Sequence, residues 1–232
     1  MTAREIARYA KKTLRKLHGR AAMSMGRASS ASPLSIYWGF DRGRPIDRYY
    51  IERFLGDHSN DVRGVVLEVA SSDYSKQLGG ERITRQEVLD VDESNRQATI
   101  IGDICDPATL PTGAFDCVVL TQTLQLIYDV RAAVTQIRRS LRPGGCALIT
   151  VCGITSIRHH GDCPWHWSFT EDSLGALLRE EFDPDKIEVA TFGNLYAATA
   201  FLHGAAVEEV STRKLDIFDP AFPVIIAARA VA

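Results

Sequence analysis

The stretch that decides the fold is residues 115–151, FDCVVLTQTLQLIYDVRAAVTQIRRSLRPGGCALITV. It reads as strand, polar crest, amphipathic helix, turn and strand, which together make one βαβ unit. The runs at 117–120 and 146–151 are almost wholly apolar and lack the alternation of a half-exposed strand. Such runs suit parallel strands covered on both faces. Between them Val130, Val134, Ile137 and Leu141 fall on one helical stripe, with Arg138 and Arg139 off it. Asp129 stands where an N-cap belongs. Pro143-Gly144-Gly145 is expected to stop the helix and turn the chain into the next strand. In open α/β sheets ligands bind beyond the carboxyl ends of the strands, the position held here by Thr121, Gln122, Thr123 and Gln125.

Working outward, apolar strand patterns recur at 64–70, 87–91, 98–101, 187–192 and 223–231. Helical patterns lie between several of them. One starts near Pro45 and ends near Leu55-Gly56, with Ile46, Tyr49, Tyr50 and Phe54 on an aromatic face. Another is opened by Thr170, with Glu171 and Asp172 in its first turn. The helix after the first strand must be very short, because few residues separate Ala70 from the next strand. The segment 194–206 is apolar nearly all round, which suits burial or a homodimer contact better than an acceptor site. Strands alternating with helices predict an α/β fold: a Rossmann-like, seven-stranded, mostly parallel sheet with helices on both faces. Residues 1–58 are expected to form an N-terminal helical extension or lid, and 59–232 the Rossmann domain. Within the extension, 3–18 is a basic amphipathic segment, read as a solvated outer helix, with a lid, partner-docking or membrane-surface helix as alternatives. The Ala-, Ser-, Met- and Gly-rich residues 19–35 read as a linker or lid segment.

Bulk numbers narrow the function. The chain has 232 residues, 45% hydrophobic and 24% charged, with a formal charge of -2. It can bury a full core, and it offers no global basic field for nucleic acid. No apolar run is long enough to span a bilayer, and the N-terminus lacks the apolar core of a signal peptide. Five cysteines, at 105, 117, 146, 152 and 163, form no C-x-x-C pair. They read as small buried hydrophobes in a cytoplasmic protein rather than as disulfides.

An ordered series of acids follows the strands: Glu68 near the end of the first, Asp92 after the second, Asp103 after the third. A carboxylate accepts two hydroxyl hydrogen bonds at once, which suits a ribose diol. With VVLEVA, ATIIGDICD, AFDCVVLTQTLQLIYD, LRPGGCALITV and WSFTEDSLGALL, these acids resemble the class I S-adenosylmethionine-dependent methyltransferases of the type 11 group, over about residues 60–182. The resemblance implies S-adenosyl-L-methionine as cofactor. Glu68 and the loop from Ala70 would lie under its methionine end, Asp92 would hold the ribose hydroxyls, Asp103 and Ile104 would flank adenine, and Gln122 would lie beside the sulfonium.

The sequence departs from the family at the loop after the first strand. Three glycines spaced by single residues are usual there; this chain has Ala70, Ser72 and Tyr74. Glycine is favoured because the backbone turns sharply and approaches the ligand. Arg48 or Tyr50, in a segment resembling one that precedes the core in some bacterial relatives, is a candidate to close over the methionine end, an Arg fork being suited to a carboxylate. A surface helix with one aromatic face explains the same residues.

For the acceptor, the loop after the fifth strand carries His159, His160, Asp162, Cys163 and His166 beside Trp165 and Trp167. In this architecture that loop lies over the acceptor pocket. A histidine suits proton removal from a hydroxyl near neutral pH. His166 is the first candidate base and His160 the second. The spacing fits no metal motif, and no metal is expected. The leading expectation is methyl transfer to a hydroxyl of a small-molecule or saccharide acceptor, with an amine next. The alternatives are a catalytically degenerate partner or regulatory protein, and an enzyme of the same fold running non-methylating chemistry such as a cyclisation.

Overall fold

The computed structural model describes residues 30–157 and 164–232. These fall into two units. The larger comprises residues 51–153, described parts of 157–192, and 225–232. It holds a seven-stranded sheet in the order β3-β2-β1-β4-β5-β7-β6. The strands are β1 (Gly64–Val69), β2 (Ile83–Asp90), β3 (Ile100–Ile101), β4 (Phe115–Thr121), β5 (Leu141–Cys152), β6 (Ile187–Phe192) and β7 (Ile225–Val231). β1 to β5 are mutually parallel, and β7 runs antiparallel to both β5 and β6. The expected mostly parallel sheet is present. Its strand order reverses between β1 and β4, which makes the carboxyl ends of those two strands the topological switch point.

Helices supply the layers. α1 (Ile46–Asp57) contains the division between the units, since Tyr50 belongs to the smaller and Ile51 to the larger. α2 (Asp73–Gly79) is two turns long, as the spacing after β1 requires. α3 (Val130–Ser140) starts at Asp129, whose carboxylate accepts from the Ala132 amide at 3.0 Å. α4 (Glu171–Arg179) starts at Thr170, whose hydroxyl and the Ser173 side chain close a capping box. Val134 and Ile137 on α3, Leu174 and Leu178 on α4, and Leu67, Val118, Leu120 and Ile149 on the strands form one buried apolar cluster. Val66, Val119 and Leu148 occupy the alternate strand positions, facing the other side of the sheet, and they too are buried. Both faces are covered, which is why the strand sequences carry no alternation.

Several boundaries differ from expectation. β2 begins at Ile83, not 87, because ITRQ is strand despite its exposed polar residues. Pro143-Gly144-Gly145 does not separate helix from strand. α3 already ends at Ser140, and these residues form a bulge inside β5, where the register jumps from Phe115↔Leu141 to Cys117↔Cys146. The Gly144 amide donates to the Ala232 carbonyl and the Ala232 amide to that of Gly145, so the bulge keeps its hydrogen bonds. Gly64 enters β1 with φ +69°, and a Cβ there would collide with the Asp116 carboxyl. That carboxyl accepts from the Val65 amide at 2.7 Å and from Arg142 at 2.6 Å.

The smaller unit gathers described residues 30–50, 154–156 and 193–224. Its helices are α5 (Leu195–Leu202), which ends four residues before the apolar segment does, and α6 (Thr212–Leu215). The shortening has a cause in the chain: His203 caps α5, and Gly204 follows at φ +67°, where the helix cannot continue. Asn194 accepts from the Ala197 amide and donates to the Lys214 carbonyl, fixing the start of α5. Arg42 pairs with Glu209 through two hydrogen bonds. Within α5, Ala197, Ala198, Ala200 and Phe201 are buried, while Leu195 and Leu202 are exposed. Among the described residues no helix is long and apolar enough to cross a membrane.

Leu120 is fully buried on β4 in the centre of the sheet. Leu120→Ala is expected to cost about 2–5 kcal/mol through lost transfer energy and the cavity left behind. A urea unfolding curve reads this as a lower midpoint with an unchanged slope.

Candidate functional site

The site begins with a buried acid. Glu68 is 1% exposed, one residue before β1 ends. Its carboxylate accepts from the Ser75 amide at 2.8 Å, the Tyr74 amide at 3.2 Å and the Ser75 hydroxyl. These amides belong to the first turn of α2, whose orphan donors need an acceptor. Glu68 therefore ties the first strand to the helix that follows it. Burial pushes its carboxyl up from the ordinary value, against the opposing effect of the hydrogen bonds from Ser75 and Tyr74.

Between them lies the turn that lost its glycines. Ala70 has φ +68°, in the left-handed region. A residue with a Cβ held there costs about 1–2 kcal/mol. The chain makes the turn glycine would make, and bears the strain. Its amide donates to the Leu89 carbonyl at 2.9 Å. Ser72 is buried, with its hydroxyl 3.3 Å from the Gln97 side-chain oxygen.

At the end of β4 the same conformation recurs. Gln122 has φ +51°, and its amide donates to the Thr150 carbonyl at 2.8 Å. Strained non-glycine residues thus stand at the carboxyl ends of the two strands that flank the switch point. Strain of this kind persists where a site requires it. The Gln122 side chain accepts from Gln125 at 3.0 Å. Gln122 Nε2, Gln125 Oε1 and Thr150 Oγ1 are buried atoms without a hydrogen-bond partner, a cluster of unused donors and acceptors at this crest.

The remaining acids line the same edge. Asp92 lies two residues beyond β2 and is fully exposed; hydrogen bonds from the Ser94 side chain and amide hold its carboxyl below the ordinary value. Asp103 is exposed and accepts from the Cys105 amide at 2.9 Å. The Ile104 side chain is buried in the core cluster. Glu68, Ala70, Asp92, Asp103, Ile104 and Gln122 therefore sit on the carboxyl ends of β1 to β4 or just beyond, in the larger unit. Arg48 and Tyr50 belong to the smaller one. The Tyr50 hydroxyl donates to the Leu215 carbonyl at 2.9 Å, and the Arg48 guanidinium lies 5.6 Å from the Phe40 ring centroid.

The rim is aromatic. The amides of His166 and Trp167 both donate to the Gln125 carbonyl, at 2.8 and 3.2 Å. The Tyr128 ring meets His166 edge-on at 5.4 Å and lies 6.1 Å from Trp167. Trp167 Nε1 donates to the Ile127 carbonyl at 2.8 Å. Tyr128, 74% exposed, was not a sequence candidate. Its only signal was an aromatic residue just after the polar crest. Asp90 and Asn95 belong to the same edge; D-x-D-x-x-N marks a locally bonded turn in the sequence but carries no sign of the contact with Ala70. His159, His160, Asp162 and Cys163 lie outside the described residues. Among the described residues no three His, Cys, Asp or Glu side chains group as metal ligands.

Residues 57–149 match a family model described as a methyltransferase domain. The chain carries a methyltransferase domain. No curated protein matches the sequence. Among solved structures, an S-adenosylmethionine-dependent methyltransferase from Archaeoglobus fulgidus aligns with a TM-score of 0.55 and 11% identity, covering 80% of this chain and 94% of that one. The N-methyltransferase NodS from Bradyrhizobium japonicum, solved with S-adenosylhomocysteine, aligns at 0.53 and 15%, covering 89% and 95%. The [4+2]-cyclase SpnF aligns at 0.50 and 15%, covering 78% and 80%. These are likenesses of fold.

Two measurements probe the crest. Ala70→Gly is expected to relieve the left-handed strain and raise stability by about 1 kcal/mol, seen as a higher Tm; a drop in Tm would refute the strain. For Glu68, a raised carboxyl value means that the fold favours the protonated form. That contribution is complete below 4.5 and is lost as pH rises through the folded value. The native protein is therefore expected to lose stability relative to Glu68→Gln as pH rises above 4.5. A difference that stays flat across the range contradicts it.

Proposed function

We propose that this methyltransferase domain uses S-adenosylmethionine to methylate a hydroxyl group on a small-molecule or saccharide acceptor. The observation that carries the reading is the pair of left-handed residues, Ala70 and Gln122, on the two strand ends that flank the switch point. Backbone strain of this kind is kept where the surrounding contacts over-determine it, and it clusters at ligand sites. The buried, unpartnered atoms of Gln122, Gln125 and Thr150 fit a crest built to face a polar ligand.

When bound, S-adenosylmethionine supplies a methyl group made electrophilic by the positive sulfur. The chain's residues divide the remaining work. Asp92, exposed and ionised, would hold the ribose hydroxyls by accepting their hydrogen bonds. Asp103 and the backbone at Ile104 border adenine. Glu68 fixes α2 and with it the loop that would lie beneath the methionine end, and Gln122 would lie beside the sulfonium. At the rim, Tyr128 and Trp167 present exposed aromatic surface, the kind of wall on which the apolar face of a sugar or a small organic acceptor stacks. His166 stands against Tyr128 and takes the proton from the acceptor hydroxyl. Alignment of the acceptor and exclusion of water supply most of the acceleration.

Calorimetric titration with S-adenosylhomocysteine tests the first half of the reading, with binding expected for the native chain and a loss for Asp92→Ala. A panel of hydroxyl-bearing metabolites and sugars, read by S-adenosylhomocysteine release, tests the second. On an accepted substrate, His166→Asn is expected to lower turnover on the order of a hundredfold with unchanged cofactor affinity. Equal turnover in the variant removes His166 from the chemistry, and a native chain that does not bind S-adenosylhomocysteine rejects the whole reading.

A further inference from the structure

The turn at Ala70 holds a strained shape without glycine, so some contact must keep it there. One side chain reaches it from 25 residues away. Asn95 Nδ2 donates to the Ala70 carbonyl at 2.7 Å and to Asp90 Oδ2 at 2.6 Å. Its Oδ1 accepts from the Gln97 amide at 2.9 Å. The other Asp90 oxygen accepts from the Asp92 amide at 3.0 Å. Every polar atom of the Asn95 side chain is used, and the carboxylate that orients it is itself fixed to the end of β2. The amide of Ala70 is held from the same strand, by the Leu89 carbonyl. Both backbone polar groups of the left-handed residue are therefore gripped by the β2 end and the turn after it.

We infer that Asn95, oriented by Asp90, is a positioning residue that replaces the missing glycine by latching the Ala70 turn in its ligand-ready shape. Glycine adopts positive φ at no steric cost. Alanine does not, and the difference is made up by a charge-oriented amide bonded to the alanine carbonyl. The same latch couples the turn to Asp92, because Asp90 binds the Asp92 amide as well as Asn95. The loop beneath the methionine end and the acid assigned to the ribose are thereby set in one arrangement. The inference rests on the cofactor reading for its ligand, though the latch itself belongs to the chain alone.

A double-mutant cycle separates the two. In the protein without ligand, Asn95→Ala is expected to lower Tm by several degrees and to speed hydrogen exchange at the Ala70 amide, which is bonded to the Leu89 carbonyl. Adding Ala70→Gly to that variant restores both, because glycine needs no latch. S-adenosylhomocysteine affinity, measured by calorimetry, is expected to fall about tenfold in Asn95→Ala and to recover in the double variant. If Asn95→Ala keeps native exchange rates and affinity, the latch is wrong. If it loses affinity that Ala70→Gly does not recover, Asn95 acts by some other route and the latch is again wrong. Failure of the native chain to bind S-adenosylhomocysteine overturns the cofactor reading, while the ligand-free Tm and exchange data still decide for or against the latch.

Discussion

The crest of this sheet depends on one buried carboxylate. Glu68 lies within the hydrogen-bonded body of β1, yet its oxygens reach forward to the first amides of a helix that starts five residues later. A buried acid is unfavourable unless its oxygens are satisfied, and α2 satisfies them. In return, a helix of two turns, too short to hold itself together in water, is fixed at a defined place. The turn from Ala70 to Ser72 is stretched between these two anchors. Its left-handed residue follows from that geometry, since the chain must reverse within a few residues to bring the helix start back over the strand end.

The βαβ unit could be read from the sequence because burial on both faces leaves the chain little freedom: a strand covered on each side must be apolar throughout. The caps at Asp129 and Thr170 were legible for a similarly local reason, their hydrogen bonds closing within three residues. The start of β2 was not. Its residues ITRQ are half-buried or exposed, and a strand of that kind carries no more apolar signal than a loop. Nor was the start of β5, where Pro143, Gly144 and Gly145 have the composition of a turn and are kept in the sheet by bonds to Ala232, at the far end of the chain.

The candidate site divides along the same line. Acids at strand ends can be found once the strands are found, which is how Glu68, Asp92 and Asp103 came forward. Asn95 could not be, because its importance lies in a contact with Ala70 that exists only after β1 and β2 pair. Tyr128 is equally silent in sequence, since its relation to His166 and Trp167 depends on two loops from different strands meeting. Substituting alanine for the first glycine looks like decay when read along the chain. In three dimensions it is one member of a set that includes Asp90 and Asn95, and the turn keeps its shape.

The aromatic rim is attached by main chain. A single carbonyl, that of Gln125, receives the amides of both His166 and Trp167, and an amide donates whatever side chain its residue carries. The placement of this loop is therefore largely insensitive to which residue stands at 166, while Trp167 adds a side-chain bond to the Ile127 carbonyl. Such an arrangement lets the identity of the rim drift through successive substitutions without loss of foldability. It is a physical basis on which one scaffold can diversify the compounds it accepts while the machinery beneath stays constant.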